Sequence, residues 1–99
     1  MRANATAVYR PKTGLGQTVA IGATTTSAST AFSDQTRLVV LDADVGCHVD
    51  FEGTAATTAD FHMVASVPYA FVVDPGQTVK VIQDSAAGTG TLWVSEVTF

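Results

Sequence analysis

Cysteine, histidine, charge and helix-forming stretches are all scarce in this chain of 99 residues. One cysteine, Cys47, excludes an internal disulfide and any four-thiolate metal site. With only His48 and His62, the chain has no His-x-His pair of the kind with which double-stranded β-barrels begin a metal site. No run of about 18 apolar residues is present, so neither a spanning helix nor a membrane partner is expected. The opening "MRANATAVYRPKTG" lacks the apolar centre of a secretory signal, which reads as a protein that keeps this end and is made in a reducing cytosol. There is no Gly-x-x-x-x-Gly-Lys phosphate loop, no Gly-x-Gly-x-x-Gly fingerprint and no Gly-x-Ser-x-Gly elbow; "GLG" at 14–16 and "GTG" at 88–90 are too short and lead into no helix.

Charge is thin and uneven. Only 14% of residues are charged, against roughly 25% in an ordinary soluble domain, while 46% are hydrophobic. Some of so weakly charged a surface is therefore expected to face protein rather than water. Arg2, Arg10 and Lys12 make residues 1–16 net +3, so a chain of net charge −4 carries −7 over its other 83 residues. An acidic body argues against nucleic acid as the main partner, because phosphate binding needs a clustered basic face. The basic leader reads as a segment that docks on an acidic neighbour.

What the chain does have is period-two patterning rich in β-branched residues, with 15 Thr among them. Strands are expected over 17–23, 29–33, 36–42, 46–52, 60–65, 69–74, 78–84 and 91–99. Turn signals separate them: "TTTS", "DADVG", "EGTAATTAD", "DPGQ" and "DSAAGTG". The expected fold is all-β, an antiparallel β-sandwich or a jelly-roll-like small barrel over residues 17–99, preceded by an extended N-terminal arm over residues 1–16.

Within that frame, Asp74, Pro75 and Gly76 form a structural turn. Pro75 sets the φ of the first central position and Gly76 tolerates the positive φ of the second, while Asp74 caps the turn. The flanking "YAFVV" and "VKVI" are expected to pair as a hairpin, with Val79 and Val81 on one face and Lys80 and Ile82 on the other. "LVVL" at 38–41 is apolar on both faces, which suggests a central strand whose outer side meets another layer or subunit. The alternative is a few ordinarily exposed Val and Leu side chains.

The best cluster of polar groups is "CHVDFE", where alternation puts His48, Asp50 and Glu52 on one side and Cys47, Val49 and Phe51 on the other; "DFHM" adds Asp60 and His62. A polar outer face is the expectation here rather than a metal site, and no cofactor or catalytic residue is expected. Among the aromatics, Tyr69 and Trp93 are the obvious platforms for a partner. Trp93 shares a strand face with Ser95, Val97 and Phe99, as core or interface residues would.

Taken as an ordered string, "AFSDQTRLVVLDADVGCHVDFEG", "VPYAFVVDPGQTVKVIQD" and the closing "GTLWVSEVTF" resemble the small all-β virion proteins of tailed bacteriophages over residues 17–99. The loop "TAATTADFHMV" departs from that group in lacking Pro and Gly. The resemblance implies a non-enzymatic structural subunit of the virion, a capsid decoration or cement protein. Such a protein binds the major capsid protein on the phage head and commonly assembles as a trimer. On this reading Arg2, Arg10, Lys12, Leu38, Val40, Tyr69 and Trp93 would meet partners, the arm lying along a neighbouring subunit. Two other readings stay open: a neck, tail or fibre protein of the virion, and a carbohydrate-binding module in which Trp93 or Tyr69 with Asp50 or Asp60 would face a sugar.

Overall fold

The structure, a computed structural model, describes residues 9–28, 30–84 and 88–99. Eight strands carry the fold: β1 (Arg10–Ile21), β2 (Thr26–Ser27), β3 (Leu38–Ala43), β4 (Cys47–Asp50), β5 (Phe61–Met63), β6 (Tyr69–Val72), β7 (Lys80–Gln83) and β8 (Gly90–Thr98). Among the described residues no helix is long and apolar enough to cross a membrane.

Pairing follows the logic of one long ribbon. β1 pairs with β8, β2 with β7, β3 with β6 and β4 with β5, all antiparallel. Winding that ribbon brings β3 against β8 and β4 against β7, which closes two four-stranded sheets. Sheet I has the order β1-β8-β3-β6 and sheet II the order β2-β7-β4-β5. This is a jelly-roll arrangement, eight strands in two facing sheets. Alternate residues point inward: Val39, Leu41, Leu92 and Val94 from sheet I meet Cys47, Val49, Met63 and Val81 from sheet II, each no more than 2% exposed. Their burial is the main stabilising term, at about 25 cal/mol per Å2 of apolar surface removed from water.

Three expectations need correction. First, "YAFVV" and "VKVI" do not pair: β6 lies in sheet I and β7 in sheet II. The turn between them has the expected geometry, with Gly76 at φ +83° and the Gln77 amide donating to the Asp74 carbonyl at 3.3 Å. It carries the chain from one sheet to the other because both strands already have partners, β3 and β4. Lys80 does share the outer side of sheet II with Ile82, opposite Asp50, yet it is buried, its Nζ donating to the carbonyls of Phe51 and Thr78 at 3.0 Å each.

Second, no strand forms over residues 30–33. Ser29 lies outside the described residues, and the paired residues are Thr26 and Ser27 in "TTTS", which had read as a turn. Phe32 is instead an anchor, 2% exposed, its amide bonded to the Gln77 carbonyl and its carbonyl to the Gly76 amide.

Third, the part of residues 1–16 that is described does not stand off as an arm: from Arg10 onward it is paired within its own fold. Arg10 stands opposite Thr98 and Pro11 opposite Val97, and the ladder resumes at Gly16 opposite Ser95. Residues 12–15 bulge out opposite Glu96, with Gly14 at φ +73° allowing the excursion. β8 would otherwise present an unpaired edge, and β1 satisfies its backbone groups. Arg2 lies outside the described residues.

Candidate functional site

Strand register assigns the outer face of sheet I. Leu38 stands opposite Val72 and Val97, Val40 opposite Ala70 and Ser95, and Asp42 opposite Trp93. Directly opposed residues share a face, so Leu38, Val40, Val72, Trp93 and Val97 form one apolar patch. Pro11, across from Val97, extends it onto β1, where Thr18 stands across from Trp93. Val72 is 85% exposed, Phe99 83% and Trp93 46%. A hollow of about 310 Å3 opens between Leu38, Val72, Val97 and Phe99, with Gln35 and Arg37 at its rim. Ser95, Asp42 and Thr18 are its polar members, but the face is more apolar than that of a sheet facing water should be.

Of the residues expected to meet partners, the structure brings Leu38, Val40 and Trp93 together on this face. Tyr69 is elsewhere: it stands opposite Leu41 on the inner side of sheet I, and its hydroxyl accepts the Val64 amide at 3.2 Å. Arg10 is exposed at the start of β1. Lys12 is half-buried, its Nζ donating to the Thr36 hydroxyl at 3.2 Å. Asp74, Pro75 and Gly76 form the turn described above, and the exposed Asp74 carboxylate lies 3.9 Å from Arg37.

Tyr69 belongs to an aromatic cluster that single-strand reasoning missed. Phe61 meets Tyr69 and Phe71 edge-on, at centroid distances of 5.7 and 5.2 Å, and Phe71 lies 5.3 Å from Phe51. The rings sit where the edge strands β5 and β6 of the two sheets come together, and a cleft of about 500 Å3 opens beside them. Asp50, Glu52, Asp60 and Asp74 contribute to its lining. Two of these carboxylates already serve the loop between β4 and β5: Asp50 accepts the Gly53 amide at 2.7 Å and Asp60 the Thr57 amide at 2.7 Å. Trp93 is on the other sheet, facing away from Asp50 and Asp60, so the acids considered for a sugar lie beside the Tyr69 cluster and not beside Trp93.

His48, Asp50 and Glu52 do not converge as the strand pattern proposed. β4 ends at Asp50, and Glu52 is exposed in the loop beyond it. His48 faces outward as expected, but across the ladder its neighbour is His62 on β5. Asp84, just past β7, completes a group of three around them. The spacing of "CHVD" and "DFHM" carries a trace of this, yet only the register of the β4–β5 pair puts the two histidines side by side.

Cys47 points into the core, fully buried, and burial pushes its thiol from 9.0 to about 11. Such a thiol stays protonated near neutrality and behaves as a small apolar side chain. Comparison of the chain with protein families, with curated proteins and with solved structures finds no match.

Proposed function

We propose that this chain is a non-enzymatic structural subunit of a bacteriophage virion, a decoration protein that binds the major capsid protein on the head surface and stabilises the shell. The observation that carries the reading is the outer face of sheet I, where Val72, Trp93 and Phe99 are exposed around Leu38, Val40 and Val97. A contiguous apolar face of this kind marks an interaction surface. The low charge of the chain, 14%, points the same way. A trimer built on this surface would sit at local threefold positions of the head, and a modest interface repeated over a shell gains strength by multivalency. The exposed Arg10 and the basic Arg2 then supply charge complementary to the acidic body of a neighbour.

Sedimentation equilibrium of the chain, followed by imaging after mixing with heads that lack it, tests the proposal. A trimer that decorates the shell, and a Val72→Asp variant that melts normally but no longer decorates, are the expected results. A monomer that ignores heads and gathers at the neck or tail would move the protein to a tail or neck role within the virion.

One observation favours a second reading. Trp93 is 46% exposed on a sheet face, with Asp42 and Thr18 across the ladder, a platform on which a sugar ring could stack. Glycan binding that quenches or shifts Trp93 fluorescence would support it. A silent glycan array together with shielding of Trp93 from iodide would remove it.

A further inference from the structure

His48 on β4 and His62 on β5 face each other across the ladder on the outer side of sheet II, with ring centroids 5.0 Å apart. The neighbouring strand β7 runs on to Asp84, whose amide donates to the Gly46 carbonyl at 3.0 Å and so holds this residue beside β4. His62 Nε2 lies 3.0 Å from Asp84 Oδ2. One ligand atom from each of the three residues lies within 4.8 Å of the other two.

The second observation concerns orientation. His48 Nδ1 is 3.0 Å from the carbonyl oxygen of Asp60. A carbonyl only accepts, so Nδ1 carries the proton, and in the neutral ring Nε2 holds the lone pair. A ring N–H donated to a backbone carbonyl is the usual outer support of a metal-binding histidine, because it fixes tautomer and ring orientation together.

We propose that His48, His62 and Asp84 form a site for one divalent transition-metal ion of the zinc class. Two imidazole nitrogens and one carboxylate oxygen suit Zn2+, Co2+, Ni2+ or Cu2+. They offer too few oxygens for Ca2+ or Mg2+, and no thiolate for a soft ion. Ligand atoms at about 2.0–2.1 Å from a tetrahedral ion stand roughly 3.3 Å apart. The 3.0 Å separation of His62 and Asp84 is already close to that. Small side-chain rotations bring in the third ligand, and the remaining position is open to water. The site lies on the outside of sheet II, away from both the apolar face of sheet I and the space between the sheets. Binding there would tie three adjacent strands, β5, β4 and β7, at one place. This inference is independent of the proposed virion role.

The test is calorimetric titration of the chelator-treated full chain, free of any histidine tag, with zinc chloride, alongside NMR of the imidazole ring protons. One equivalent should bind, both histidine ring signals should shift together and saturate at that ratio, and the melting temperature should rise and fall back on adding chelator. His62→Ala, a substitution at an exposed position, should weaken binding at least tenfold without changing the metal-free melting temperature. The proposal is overturned if the ring signals of the unmodified chain do not move, if uptake never saturates at one equivalent, or if His62→Ala binds zinc as tightly as the parent.

Discussion

Glu96 on β8 and Thr36, just before β3, are joined by a buried hydrogen bond in which the Thr36 hydroxyl donates to the carboxylate. Both residues are nearly inaccessible, at 3% and 0% exposure. The same Glu96 oxygen accepts the Ser33 amide at 3.0 Å, and Lys12, from the bulge of β1, donates to the Thr36 hydroxyl. The bulge thus serves the core: it brings a cation toward the end of the sandwich where the Glu96 carboxylate is buried. Glu96→Leu should cost about 1–3 kcal/mol by leaving buried donors without their acceptor, and Thr36→Val a similar amount by stripping the carboxylate of a donor. The double variant should cost less than the sum, as expected of one network. Urea unfolding of the three variants measures this; strict additivity would show that the two side chains act separately.

Gly76 has φ +83°, and a Cβ added there would meet nothing within 4 Å. Any cost of substitution is therefore backbone strain alone. Gly76→Val should lose about 1–2 kcal/mol, and Gly76→Asn less, since Asn tolerates this region. Equal losses for the two, read from thermal or urea midpoints, would point to a contact rather than to φ.

Val81 and Val72 separate core from surface. Val81 is fully buried and Val72 is 85% exposed on the outer face of sheet I. Val81→Asp places an unpaired charge in the core and should cost several kcal/mol or prevent folding. Val72→Asp should stay within about 0.5 kcal/mol of the parent while abolishing any association through that face. Circular dichroism melts and sedimentation measure the two effects side by side.

Burial of Cys47 has a consequence at alkaline pH. The folded thiol titrates at about 11 rather than 9.0. Between those values the unfolded chain has released a proton that the folded chain keeps, so stability falls as pH rises from 9 toward 11. This contribution is fully present below pH 9. Cys47→Ala should be less stable near neutrality, through lost packing, yet show a shallower decline across that window. Urea midpoints of both chains at several alkaline pH values check the slope. Thiol reagents should label the parent only as fast as it opens.

Apart from β2 and residues 10–16 of β1, the strands, the turn at 74–77 and the two-faced character of "LVVL" were readable from residue order, because each arises from local sterics. β-branched side chains favour extended backbone, Pro75 and Gly76 set their own dihedrals, and alternation states which residues share a face. Alternation does not state which strand lies alongside. The β6–β7 pairing failed for that reason: a turn between two apolar runs looks the same whether it closes a hairpin or crosses between sheets. The bulge after Pro11, the two-residue β2 and the covering of Lys80 by the Phe51 carbonyl were hidden for the same reason, each depending on partners far away in the chain.

Sequence alone determined that this is a small all-β protein with a sharp Pro-Gly turn, a weakly charged surface and more apolar strand faces than one core requires. Tertiary structure decided how the ribbon winds, and with it the ladder that sets Trp93 beside Asp42, Tyr69 among the phenylalanines, and His48 against His62 and Asp84. Local dihedral preference acts within a few residues, whereas register comes from satisfying backbone hydrogen bonds and burying one face along the whole ribbon at once.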